Sequence, residues 1–171
     1  MNEIILMRHG KSDWGAPFDN DAARPLAARG RHAAVTMGKV LTAAGRAPDF
    51  ILSSPAVRAH STAEMAADAG GWRADVHVVD SLYGSGPAAV LGALRTVPEP
   101  SRRVLLVGHE PTWSESVRVL IGGGEVRMPT AAAAGLEVLV GSWAAIGPAT
   151  CRLRWLLPPR LFTDGDLHPP P

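Results

Sequence analysis

Two stretches of this chain share one grammar, an apolar run that passes straight into a His. Ile4-Ile5-Leu6-Met7 leads into Arg8-His9-Gly10-Lys11-Ser12, and Val104-Leu105-Leu106-Val107 leads into Gly108-His109-Glu110-Pro111. Short unbroken apolar runs are the pattern of strands buried on both faces, which requires helices on both sides of a parallel sheet. Each His then stands at the carboxyl end of a strand, where open α/β sheets bind their ligands. One such tripeptide alone would more often mark a packed or surface His. The second copy is what raises the odds of a site.

A third run, Phe50-Ile51-Leu52, ends in Ser53-Ser54-Pro55, with Arg58 in the first turn of the helix that Pro55 opens. Helix N-termini attract anions, and Arg supplies bidentate donors for phosphate. Between these strands the apolar spacing predicts helices over residues 30–44, 55–69, 87–94 and 111–121, and a short strand over 75–79. Gly135 to Val140 and Thr150 to Leu156 read as a closing antiparallel pair at the sheet edge, with Ala131 to Ala134 before them as a turn or helix stub. The expected fold is a three-layer α/β/α sandwich, mostly parallel with an antiparallel edge strand. Residues 12–28 form a long polar loop carrying Trp14, Asp21 and Arg24, expected to wall the site. Trp14 would either shield a bound group or cap the core.

A chain of 171 residues suits one core, so residues 1–162 are expected to form a single domain. The stretch from Thr163 to Pro171, which holds His168, is charged and Pro-rich and is expected to be mobile. The 17 Lys and Arg against 16 Asp and Glu leave a formal charge of +1, which argues against nucleic acid or an acidic membrane surface as partner. Any anion preference must be local. One Cys, Cys151, excludes an intrachain disulfide and reads as a small buried hydrophobe. With no secretory pattern and no apolar stretch of about 20 residues, the expected location is the cytoplasm. No Gly-rich phosphate loop followed by Lys and Ser or Thr is present, which excludes a P-loop GTPase or kinase; Gly122 to Gly124 follows a helix instead. His32, His60 and His77 fall on expected surfaces.

Arg8-His9-Gly10, Ser53-Ser54-Pro55 with Arg58 and Thr62-Ala63-Glu64, and Gly108-His109-Glu110-Pro111 together resemble the histidine phosphatase superfamily, the phosphoglycerate mutase-like fold. Lys11-Ser12-Asp13-Trp14, Asp21 with Arg24-Pro25-Leu26 and Gly30, Met128-Pro129-Thr130 and Leu157-Pro158-Pro159 resemble its short SixA-like phosphohistidine phosphatases. The resemblance implies a hydrolase without cofactor or metal, in which His9 is the nucleophile and forms a phosphohistidine. His109, Arg8 and Arg58 would hold the transferring group. Ser12, Lys11 and Glu110 are further candidate substrate contacts, although Glu110 stands where relatives often carry Asn. Thr130 resembles a position near the site.

For attack, His9 must be neutral, with its other nitrogen donating to a backbone carbonyl to fix the tautomer. Larger relatives add a carboxylic acid in an inserted region, for which this chain has no room. Asp80 is the best candidate acid, and a turn cap is at least as good an account of it. Asp21 and Arg24 read as a structural ion pair in preference to a substrate contact. A weak acid favours a phosphoramidate, because imidazole leaves more readily than an alkoxide. The expected substrate is therefore a phosphohistidine protein, with a small phosphorylated metabolite as the alternative; a binding protein without turnover is a third reading.

Overall fold

The computed structural model describes residues 1–164. Six strands form one sheet in the order β3-β2-β4-β1-β5-β6. The strands are β1 (Glu3–Arg8), β2 (Phe50–Ser53), β3 (Val76–Val78), β4 (Arg103–Gly108), β5 (Ala133–Val138) and β6 (Cys151–Leu157). The β1–β4, β2–β4 and β2–β3 pairs are parallel, whereas β5 runs antiparallel to both β1 and β6.

The two apolar runs earn their central places by burial on both faces. Along β1, Ile4 and Leu6 enter one core while Ile5 and Met7 enter the other, and β4 divides Val104 and Leu106 from Leu105 and Val107 in the same way. The first core is closed by α3 (Pro87–Arg95) and α4 (Thr112–Ile121), through residues such as Val90, Leu94, Trp113 and Val117. The second is closed by α1 (Ala28–Ala43) and α2 (Val57–Gly70), through Met37, Leu41, Ala59 and Ala63. Helices α2 and α4 stop at Gly71 and Gly122, whose φ values of 65° and 82° suit the left-handed cap that a Cβ disfavours.

One expected element shifts. Residues 133 and 134 of the Ala run belong to β5, where Ala134 lies between Leu6 and Leu156. Alanine has little intrinsic strand preference, but this position is fully buried between its two partner strands. Strand β5 is thus interior and β6 alone forms that edge. Thr163 closes a short helix, α5 (Arg160–Thr163), which leaves most of the expected mobile tail outside the described residues. Cys151 is buried at the start of β6, and burial pushes its thiol up to about 11. No described helix is long and apolar enough to cross a membrane.

Candidate active site

Strand order decides which side chains meet. Because β4 lies between β1 and β2, the carboxyl ends of three adjacent strands deliver His9, His109 and the turn into α2 to one cleft. The cleft encloses about 260 Å³ and is lined by both His residues, by Arg8, Arg24 and Arg58, and by Lys11, Ser12, Trp14, Glu110 and Thr130. The imidazoles of His9 and His109 tilt against each other with centroids 5.1 Å apart.

Each imidazole is oriented by its own partner. Nδ1 of His9 donates to the Gly10 carbonyl at 2.7 Å, so Nε2 keeps its lone pair. Burial, with smaller contributions from His109, Arg58 and Arg8, pushes His9 down to about 3, so the ring is neutral near pH 7. Nε2 of His109 lies 2.7 Å from Ser54 Oγ, which itself accepts from the Ala56 amide at 3.3 Å. With the Ala56 amide donating to it, Ser54 Oγ has its own proton to give to Nε2, which suits the tautomer that carries its proton on Nδ1. Burial first, then Arg58, pushes His109 down to about 4.

The polar loop enters through Asp21, which sits in a single turn of 3₁₀ helix, Asp21–Ala23, started by the Asn20 side chain. Its carboxylate accepts from Arg24 Nη2 at 2.7 Å, from Arg58 Nη2 at 2.9 Å and from Tyr83 Oη at 2.8 Å. Arg58 Nη1 also donates to the Asp21 carbonyl at 2.6 Å. Arg24, Tyr83 and Arg58 together hold the Asp21 carboxyl well below the usual carboxylate range. Arg24 further donates to Ser12 Oγ and lies 3.7 Å from the Trp14 ring centre. Trp14 is 67% exposed, so it covers Arg24 and does not cap the core.

Close backbone packing sets the first motif in place. A Cβ on Gly30 would meet the Lys11 carbonyl at 2.1 Å, and one on Gly10 would meet the Gly30 carbonyl at 2.6 Å. The loop after β1 therefore lies directly on the start of α1. Thr62 ties it to α2, accepting from the Gly10 amide at 3.0 Å and donating to the Arg58 carbonyl at 2.6 Å.

Of the expected site residues, the cleft gathers His9, His109, Arg8, Arg58, Ser12, Lys11, Glu110 and Thr130. Asp80 is not among its lining residues, nor among those of the adjoining lobe around Tyr83 and Thr112; it is exposed and opens a 3₁₀ turn. Glu110 does reach the cleft, but its oxygens accept from the Ser114 amide at 3.1 Å and the Ser114 hydroxyl at 2.6 Å. Arg24 is both ion-paired and a cleft residue. Ser54 belongs to the Ser53-Ser54-Pro55 motif without a role of its own that the sequence assigns, and Tyr83, which bonds Asp21, carries no sequence signal. Among the described residues, no three His, Cys, Asp or Glu side chains gather as metal ligands would.

Four buried nitrogens have no hydrogen-bond partner: Nε of Arg8, Arg24 and Arg58, and Nδ1 of His109. All four residues line the same cleft. A buried donor left unpaired costs about 1–3 kcal/mol, so their convergence fits a group rich in acceptor oxygens beside a neutral His. A sheet of this order with such a cleft defines an α/β protein with an anion site at the carboxyl ends of its central strands. The model of the histidine phosphatase superfamily (branch 1) matches residues 4–83. An uncharacterised protein of Mycobacterium tuberculosis is 35% identical over 158 residues, covering 86% of this chain and 96% of that protein. An uncharacterised chloroplastic protein of Arabidopsis thaliana is 30% identical over 169 residues, covering 91% and 77%. Among solved structures, a protein provisionally assigned as the phosphohistidine phosphatase SixA of Nakamurella multipartitia superposes with a TM-score of 0.80 at 27% identity, covering 92% of this chain and 96% of that one. A second SixA assignment, from Agrobacterium tumefaciens, gives 0.76 at 26%, covering 92% and 97%. The chain belongs to the histidine phosphatase superfamily, in its SixA-like branch.

Proposed function

We propose that the protein hydrolyses phosphohistidine on a polypeptide through a covalent intermediate on His9. The observation that carries this reading is the set of four buried, unpartnered nitrogens on Arg8, Arg24, Arg58 and His109, which line one cleft with a neutral, oriented His9. Nε2 of His9 attacks phosphorus while the bond from phosphorus to the substrate imidazole breaks, and that electron pair returns to the leaving nitrogen. Arg8, Arg24, Arg58 and Nδ1–H of His109 stabilise charge on the non-bridging oxygens. Water then attacks the phospho-His9, releasing phosphate and restoring the imidazole.

The leaving group decides between substrates. A phosphohistidine with a proton on its far ring nitrogen departs as neutral imidazole and takes no proton from the enzyme. An alkoxide leaves poorly without one, because water itself has a pKa of about 15.7. Asp21, held ionised by Arg24, Tyr83 and Arg58, is a poor proton donor. Phosphate release from a phosphohistidine peptide and from an alkyl phosphate, measured in parallel, tests this. Turnover of the peptide at least about a hundredfold faster, with both lost in His9→Ala, is the expected result. Preference for the alkyl ester would replace this reading with that of a small-molecule phosphomonoesterase.

A further inference from the structure

Beside the catalytic cleft, and sharing Arg8, Lys11 and Thr130 with it, lies a cavity of about 500 Å³ between the start of α1 and α5. Its charge is one-sided. Arg8, Lys11, Arg29 and Arg160 line it, against the single carboxylate of Asp164. None of these four cations joins an ion pair among the described residues, although Arg24, Arg46, Arg58, Arg103, Arg152 and Arg154 all do. Asp164, whose carboxylate accepts from Thr163 Oγ1 at 2.9 Å, supplies one negative charge against these four positive ones. The other lobe that adjoins the cleft is different: Gly84, Ser85, Gly86 and Thr112 line it with the carboxylates of Asp21 and Glu110, and it has no cation beyond Arg58 of the cleft itself.

We infer that this cavity is a specificity subsite for acidic side chains flanking the phosphohistidine. The inference rests on the substrate proposed above. A polypeptide that presents its phosphoryl group to His9 must run across the rim of the cleft on both sides. Among the described residues, of the two lobes that adjoin the cleft the one at α1 and α5 offers positive charge outside any ion pair, so Asp or Glu close in sequence to the phosphohistidine gains attraction there and Lys is repelled. Arg29 and Arg160 do this without touching the phosphoryl group: both are exposed, and neither lines the cleft.

Three phosphohistidine peptides that differ only in flanking Glu, Gln or Lys test this, against wild type and the Arg29→Glu/Arg160→Glu double variant. Wild type is expected to show a KM about tenfold lower for the Glu peptide than for the Lys peptide at low salt, with equal kcat. In the double variant that order reverses, while turnover of an aryl phosphate stays at the wild-type level. Equal KM values for the three peptides, or a wild-type preference that survives in the double variant, would overturn the subsite. The same peptides used as competitors of aryl phosphate turnover separate the two proposals. If none is hydrolysed, the phosphohistidine reading fails. Stronger competition by the Glu peptide in wild type and not in the double variant would still support the subsite, and equal competition would sink it.

Discussion

Ser54 Oγ stands 2.7 Å from Nε2 of His109 and fixes which ring nitrogen faces the cleft. Removing the hydroxyl frees the ring to adopt the other tautomer, which would turn a lone pair toward the phosphoryl oxygens. Ser54→Ala is expected to lower kcat about tenfold, the worth of one hydrogen bond, with little change in KM. Nitrogen NMR of His109 should show a mixture of tautomers in the variant and one tautomer in wild type.

Asp21 joins Arg24, Arg58 and Tyr83 from three separate parts of the chain. Asp21→Asn keeps the shape and removes the charge that holds both guanidiniums. A loss in kcat/KM of about tenfold to a hundredfold is expected, with a fall in stability of no more than about 1 kcal/mol because the carboxylate is half exposed. Arg24→Lys should not substitute, since one ammonium cannot reach Asp21 and Ser12 as the fork of Arg does.

Both imidazoles are pushed down, His9 to about 3 and His109 to about 4. Each should therefore stay neutral from pH 8 down to about pH 5, where a free imidazole would be mostly charged. An NMR midpoint near 6.5 for either ring would show that the site is wetter than described. The sign for stability follows from proton binding. The unfolded chain takes up protons on these two groups as pH falls below about 6.5, while the folded chain does not until pH approaches 4 and then 3. Stability should thus decline through that window, and less steeply in His9→Gln.

Gly30 gives a stability prediction independent of chemistry. A methyl group there meets the Lys11 backbone at 2.1 Å, and backbone cannot swing aside as a side chain can. Gly30→Ala should cost about 1–3 kcal/mol in urea unfolding and should also slow turnover, because the displaced segment carries Gly10 and Lys11. Asp80→Asn, exposed and away from the cleft, should change neither.

The strands and the two His positions were legible because a strand buried on both faces leaves an apolar run that ends abruptly. The place of β5 was not, since its Ala133 and Ala134 answer to burial between β1 and β6 and have little strand preference of their own. At the site, Arg8, His9, Arg58 and His109 could be read from motif and strand end together. Arg24 looked structural because its partner Asp21 is three residues away; its second role depends on where the loop folds, which spacing does not record. Asp80 drew attention by standing at a strand end, yet the 3₁₀ turn that it opens leaves it exposed and outside the cleft. Ser54 was visible only as half of a hydroxyl pair.

The interposition of β4 between β1 and β2 has a consequence for the order in which a newly made chain becomes active. Within the sheet, β1 bonds only to β4 and β5, and β2 only to β3 and β4, so before residue 103 is made no strand joins the segments carrying His9 and Arg58, which are then linked through side-chain hydrogen bonds such as Thr62–Gly10 and Arg58–Asp21. Emergence from the ribosome proceeds at about 5–20 residues per second, so a nascent chain holds two of its three motifs for some time before the strand that leads into His109 is made. Insertion of that late strand into the middle of the sheet then joins the two halves and brings the second imidazole to the first.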